Sequence, residues 1–385
     1  MYGKESFNLK IFLTKDTPLE ELVQVFSLSN ELIKDANINI SDIIKKDELI
    51  EIPGWIKDKE LNSSQSECKK NIIYFEYPND LPLAKKIPSS TINSKKCYDF
   101  FALQNDLQTL LTHYPFVKKR MIGQSVLGQP IYELIIGKGK RRVHMNGAFH
   151  ANEWITSAIM MKWLDQYLNK IIHDELVNGY RARNLYNETT LSFVPMVNPD
   201  GVNLVLNRSL GDDKIKSMVV KINNGSHDFS DWKANIRGVD LNNQYPAFWE
   251  IEQARKIPKS PASRDFPGNR PLTEPESIAM EQLVKNSNFD RIIAFHTQGE
   301  EIYWGYLNYE PEESEKIVNE FVRLSNYKAV RNIDSHAGFR DWFIYQYRKP
   351  GFTVELGLGV NPLPLSQFNE IFEKSKGIFA AALYM

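Results

Sequence analysis

From about residue 96 onward the sequence alternates short apolar runs with longer amphipathic stretches, and this alternation restricts the possible folds more than any other feature of the chain. Residues 142–149, 190–197, 291–295 and 352–356 read as buried strands, and residues 155–168 and 274–285 as helices. Helices recurring between apolar strands imply an α/β layer fold. The region contains no internal repeat.

The first ninety residues have a different texture. Residues 7–15 carry Phe, Leu, Ile and Leu in near-alternation, and Lys15-Asp16-Thr17-Pro18 signals a turn. Thr17 fits an N-cap, with Pro18 at the first helical position. Leu19, Leu22, Val23 and Phe26 then share one helical face. A second helix is expected over residues 29–37, and a strand over 48–52 closed by Pro53. The stretch KDTPLEELVQVFSLSNELIKDANI…IIKKDELIEIPG, in the order strand, helix, helix, strand, resembles a LysM carbohydrate-binding module. Such modules open on a Gly-Asp-Thr-Leu-like turn, where this chain has Lys15 and an intruding Pro18. A generic small α+β cap is the alternative. Residues 55–95 are rich in Lys, Ser, Pro and Asn and read as a linker or a degenerate second module. The expected organisation is therefore a module over 1–54, a linker over 55–95 and a large domain over 96–385.

Composition narrows the partners. With 47 basic and 48 acidic residues the net charge is −1, so nothing pulls the whole molecule toward nucleic acid or anionic membrane. Cys68 and Cys97 do not form a CxxC pair, which argues against thiolate–metal chemistry. No apolar run follows a basic start and none is long enough to span a membrane, so the expectation is a cytoplasmic protein without a signal peptide.

The chemistry begins at His150-Ala-Asn-Glu153, where a strand meets an amphipathic helix. Zinc takes nitrogen and oxygen donors from His and Asp/Glu, and a catalytic site uses three protein ligands. An HxxE pair at the lip of a strand can aim two donors at one point. A third must come from elsewhere. Of the seven histidines, His296 ends the apolar run 291–295 and so emerges at a strand terminus, as His150 does. In open α/β sheets the carboxyl ends of strands line the active-site crevice. His113, in a Thr-His-Tyr-Pro turn, and His173, on a helix tail, read as solvated, and His144 as a packing or sheet-face residue. Glu355 stands inside Phe352-Thr-Val-Glu-Leu356. A carboxylate there is costly to bury without a partner. It is either an outward-facing residue of an edge strand or a general base beside a metal-activated water.

Together, GAFHANEW (147–154), NPDGV (198–202), GVDLN (238–242), AFHTQ (294–298) and FTVELG (352–357) resemble the carboxypeptidase A family of zinc peptidases, in family order and over roughly residues 98–380. The resemblance implies a mixed, mostly parallel twisted sheet flanked by helices. It implies zinc held by His150, Glu153 and His296, with Glu355 as the general base. It also makes Asp240 the aspartate that hydrogen-bonds the first zinc histidine and fixes its tautomer. The family's oxyanion arginine follows a tryptophan. Here Lys233 follows Trp232, without the planar fork of arginine, and Arg237 lies just before GVDLN. Either could serve, or be a solvated loop cation.

Two departures matter. Family carboxypeptidases follow the motif asparagine with an arginine that clamps the substrate's terminal carboxylate, whereas this chain has Asn242-Asn243. The family's closing tyrosine is absent from residues 332–338, where His336 is the nearest substitute. A LysM-like module beside a domain lacking the arginine clamp resembles the bacterial γ-D-glutamyl-L-diamino acid endopeptidases. Those enzymes cut peptidoglycan stem peptides between D-glutamate and diaminopimelate, inside the cell during sporulation or wall recycling. The expected partner is thus peptidoglycan or a muropeptide, with no nucleic acid and no membrane insertion. An ordinary zinc carboxypeptidase and a non-catalytic wall-binding protein are the rival readings.

Overall fold

The apolar runs become the middle of one eight-stranded sheet. In this computed structural model, residues 8–13, 15–57, 84–86, 97–208 and 212–385 are described. In chain order the strands are β1 (Asn8–Phe12), β2 (Thr17–Pro18), β3 (Ile43–Ile44), β4 (Leu49–Lys57), β5 (Ala84–Lys86), β6 (Lys118–Gln124), β7 (Pro130–Ile136), β8 (Arg141–Gly147), β9 (Leu176–Val177), β10 (Tyr180–Arg181), β11 (Thr189–Val194), β12 (Arg291–His296), β13 (Glu301–Tyr303), β14 (Lys328–Val330) and β15 (Gly351–Glu355). The helices are α1 (Leu19–Phe26), α2 (Asn30–Ala36), α3 (Phe100–His113), α4 (Ile155–His173), α5 (Ala182–Glu188), α6 (Pro199–Val205), α7 (Asp213–Ile222), α8 (Trp249–Arg255), α9 (Pro275–Ser287), α10 (Glu313–Ser325), α11 (Phe339–Tyr347) and α12 (Phe368–Tyr384). Among the described residues no helix is long and apolar enough to cross a membrane.

Two compact units divide the chain. One holds residues 1–92, 105–118 and 164–183, the other 93–104, 119–163 and 184–385. In the smaller unit β1 pairs antiparallel with β4, and α1 and α2 lie between them in sequence. Leu19, Leu22, Phe26, Leu32, Ile33, Ile50 and Ile52 are among its buried apolar positions. Three local expectations are corrected. Thr17 does not cap α1, because its hydroxyl donates back to Lys15 O and Pro18 is the N-cap residue. Pro53 does not end its strand. The register jumps from Leu9↔Ile52 to Asn8↔Ile56, and this irregularity carries the strand past a residue that has no N–H to donate. His113 is buried rather than solvated, since it falls three residues after the buried Leu110 on α3. Of the expected linker, 55–57 and 84–86 pair as β4 and β5, and the remainder lies outside the described residues.

In the larger unit the sheet order is β14-β13-β15-β12-β8-β11-β7-β6. The central strands β11, β8, β12 and β15 run parallel, while β13 and β7 are antiparallel to their inner neighbours. All six residues of β12 are buried, as a strand covered on both faces requires. Alternation along β12 assigns the faces. Phe295 stacks on Phe379 of α12, with ring centroids 4.0 Å apart. Ile292 and Ala294 point the other way, into a core with Met280 and Leu283 of α9 and Phe339, Trp342 and Phe343 of α11. His296 continues that second face at the strand's carboxyl end. Its register partner on β15 is Glu355, so both side chains project on the side of α9 and α11.

Candidate metal centre

The carboxyl end of β8 sets the first two donors. After Gly147 the chain turns through Ala148, in the left-handed region at φ +50°, and His150 precedes a 3-10 turn over Ala151–Glu153. Asn198, from NPDGV, holds this turn by donating to Phe149 O (3.2 Å) and Ala234 O (3.0 Å). One side chain thereby ties the histidine loop to the lysine loop. Gly201 allows the close approach, because a Cβ there would come 2.8 Å from that of Ala151.

His150, Glu153 and His296 converge. His150 Nδ1 lies 2.8 Å from Glu153 Oε1, His296 Nδ1 lies 2.9 Å from Glu153 Oε2, and the two Nδ1 atoms are 3.1 Å apart. All three residues are buried. With both rings protonated on Nε2, the two Nδ1 lone pairs and the Glu153 carboxylate face one point, an arrangement that a cation between them satisfies. Donors about 2.1 Å from a tetrahedral ion lie roughly 3.4 Å apart. The observed separations are slightly shorter, so the set fits zinc.

The outer groups fix this geometry. His150 Nε2 is 3.3 Å from Asp240 Oδ1, an arrangement that keeps the proton on Nε2 and leaves Nδ1 free to ligate. The other oxygen, Asp240 Oδ2, is 3.1 Å from Lys233 Nζ, which is also 3.6 Å from Asp265. Burial pushes the Asp240 carboxyl up, but Lys233 and His150 hold it well below the usual carboxylate range. Burial likewise opposes charge on Glu153, yet His150 and His296 keep it ionised. Glu355 behaves in the opposite way. Burial, then the neighbouring Glu153 charge, push it up to about 8, against the pull of His150, Lys233 and Arg340.

The structure thus gathers His150, Glu153, His296, Asp240, Lys233 and Glu355 into one electrostatic unit. The remaining expected residues stand elsewhere. Arg237 is half-exposed and turns to Glu274 (3.5 Å). Asn242 Oδ1 accepts from the N–H of Phe339 (3.1 Å), fastening the start of α11. Asn243 is buried, and His336 Nδ1 is 2.9 Å from the Tyr306 hydroxyl. His144 is buried and meets Ser192 (2.9 Å), which donates to Glu133 (2.6 Å). His173 is half-buried, with Nδ1 2.8 Å from Asn169 O. Sequence reasoning passed over Arg340, a buried arginine whose charge reaches Glu355. Its signal was available, since two adjacent charges before Trp342 at a helix start are unusual in an otherwise aromatic segment.

Residues 103–375 match the zinc carboxypeptidase family, peptidase M14. Over 294 residues the chain is 50% identical to γ-D-glutamyl-L-diamino acid endopeptidase 1 of Lysinibacillus sphaericus, covering 76% of this chain and 74% of that protein. It is 45% identical over 370 residues to the uncharacterized protein YqgT of Bacillus subtilis, covering 95% and 96%. Among solved structures, thrombin-activatable fibrinolysis inhibitor aligns with TM-score 0.60 at 19% identity, over 77% of this chain and 76% of that one. The carboxypeptidase A of Helicoverpa armigera aligns with TM-score 0.58 at 18% identity, over 77% and 76%. At these identities the two structures speak to the fold, which is carboxypeptidase-like.

Proposed function

The chain belongs to the zinc carboxypeptidase family, peptidase M14, and from that premise we propose that it hydrolyses the γ-D-glutamyl–diaminopimelate bond of peptidoglycan stem peptides. It is a zinc metallopeptidase; the substrate is the new element. The observation that carries the proposal is Asn243, which follows the motif asparagine where family exopeptidases carry their carboxylate-clamping arginine, in a chain whose His150, Glu153 and His296 converge. The half-identical relative named for this activity supports it.

His150, Glu153 and His296 would hold the ion. When bound, zinc supplies a Lewis acid and lowers the pKa of water toward ~7. Glu355 takes the proton of the attacking water and returns it to the leaving amine. Lys233 faces the negative charge that develops on the carbonyl oxygen, and Asp240 and Asp265 hold its ammonium in place. Arg237, paired with Glu274 and half-exposed, is the weaker choice for that role.

We extend the reading to the smaller unit. Its strand–helix–helix–strand order supports a LysM-like peptidoglycan-binding module. Deleting residues 1–57 is expected to weaken retention on insoluble peptidoglycan, and equal retention would contradict this assignment.

The test of the activity is mass spectrometry of L-Ala-γ-D-Glu-diaminopimelyl-D-Ala after incubation with zinc-loaded protein. The dipeptide L-Ala-D-Glu and the diaminopimelyl fragment are expected. Release of terminal D-Ala alone, together with single residues from ordinary peptides, would select a conventional carboxypeptidase instead.

A further inference from the structure

Lysine at position 233 brings a positive charge to the metal centre but no means of aiming it. Its ammonium is a point charge on a flexible four-carbon stem, whereas the arginine that family members carry there has a planar fork with a direction of its own. A cation that meets charge developing during a reaction is effective only when its position is set beforehand. Asp240 Oδ2, 3.1 Å away, supplies one anchor, but the other oxygen of that carboxylate is taken up by His150 Nε2 (3.3 Å). A single carboxylate oxygen leaves an ammonium free to swing about it.

The second anchor is Asp265, whose Oδ1 lies 3.6 Å from Lys233 Nζ. The backbone on both sides of Asp265 is fastened to the lysine loop. Ser263 O accepts from the N–H groups of Lys233 (2.8 Å) and Ala234 (2.9 Å), the N–H of Ala262 donates to Gly238 O (3.0 Å), and Phe266 O accepts from the N–H of Asp240 (2.8 Å). Asp265 itself takes φ +64°, in the left-handed region that aspartate and asparagine tolerate better than most side chains. Its carboxylate is held as well. Arg264 Nε donates to Oδ2 (3.1 Å), and Lys256 Nζ is 3.5 Å from the same Oδ1 that faces Lys233. Lys256 is in turn 3.4 Å from Oε1 of the buried Glu252, whose other oxygen accepts from the N–H of His336 (3.1 Å). Asp265 is therefore a fixed group and can fix another.

We propose that Asp265 is a positioning residue for the reaction: with Asp240 it confines Lys233 Nζ to one place and so supplies the aim that an arginine at 233 would carry in its own fork. This rests on the oxyanion role given to Lys233 above. The need for Asp265 should then depend on which cation stands at 233.

The test compares four zinc-loaded full-length proteins on L-Ala-γ-D-Glu-diaminopimelate: wild type, Asp265→Asn, Lys233→Arg and the double variant. Asparagine keeps the shape and suits the left-handed backbone while removing the charge. With lysine at 233, Asp265→Asn should lower kcat roughly 10-fold, with KM within about 2-fold and zinc content unchanged. With arginine at 233, the same change should lower kcat by less than about 2-fold, a coupling that a merely structural role does not produce. An equal loss in both backgrounds, or no loss in either, would overturn the proposal. Undiminished turnover in Lys233→Met would remove the role on which it rests.

A second readout needs no turnover, and it decides the matter if Lys233→Arg is inactive or the stem peptide is not cut. In isotope-labelled zinc-loaded protein, the nuclear magnetic resonance signal of the Lys233 ammonium is identified by its absence from Lys233→Met. Its protons should exchange with water several-fold faster in Asp265→Asn than in wild type. An unchanged exchange rate rejects Asp265 as an anchor. Faster exchange in a protein that leaves the stem peptide intact keeps the anchor and removes the substrate reading alone.

Discussion

Two buried carboxylate clusters occupy the larger unit, and they put the same chemical group to different uses. Around Glu355, the charges that act on it are those of Glu153, His150, Lys233 and Arg340, and the ligand atoms of His150, Glu153 and His296 converge on one point. Around Glu276, the neighbours are scaffold. One oxygen accepts from the N–H of Val126 (3.1 Å) and the other from Asn235 (3.3 Å), while Asp200 accepts from the N–H of Leu127 (2.8 Å). Burial pushes Glu276 up to about 7, and burial with a neighbouring carboxylate pushes Glu355 up to about 8. The two shifts are nearly alike, so a raised proton affinity does not by itself mark a catalytic acid or base. What separates the clusters is the partner. A backbone amide pins Glu276 and with it the 125–129 loop, whereas Glu355 neighbours three side chains whose ligand atoms could hold a metal ion.

This contrast can be broken by substitution, beginning with the largest effect. His296→Ala removes one of three ligands. Zinc content should fall from about one per chain to background, and activity with it. Full activity in the zinc-depleted variant would contradict the metal assignment. Glu355→Gln keeps the shape and removes the base, so zinc should stay while turnover falls at least ~10²-fold. Loss of metal from a folded Glu355→Gln protein would instead make Glu355 a ligand.

Lys233→Met should lower turnover by about 10²-fold, and Arg237→Met should leave it nearly unchanged. The reverse ranking would move the oxyanion role to Arg237. Glu276→Gln should act on stability rather than catalysis. The folded form of Glu276 holds its proton to higher pH than the unfolded chain does. Its contribution is therefore lost as pH rises from about 4.5 through about 7, an effect of at most about 3 kcal/mol. Chemical denaturation of both proteins from pH 4 to 8 should show a shallower decline in Glu276→Gln, with turnover little changed. Parallel pH profiles would remove Glu276 from this account.

The candidate metal ligands were legible from the ends of apolar runs: His296 closes β12, and His150 and Glu153 follow within six residues of the end of β8. Glu355 was visible as a charge inside an apolar strand, but its face was not. Only the register His296↔Glu355 turns it toward the ligands rather than toward solvent. The choice between Lys233 and Arg237 depended on a loop path that no periodicity encodes. The hydrogen bonds of Asn198 to Phe149 O and Ala234 O set that path. Pro53 misled for a physical reason: a proline usually closes a strand, and here a register shift accommodates it.

The central claim is that this zinc site acts on a γ-linked D-glutamyl bond. It is tested most directly by kcat/KM for L-Ala-γ-D-Glu-diaminopimelate beside its isomer with an α-linked L-glutamate, using one zinc-loaded preparation. The two substrates have the same composition and charge and differ only in how the cut bond is presented between the metal ligands, Glu355 and the surrounding cations. The account predicts cleavage of the γ-D isomer with little or none of the α-L isomer. Comparable rates on both would contradict it.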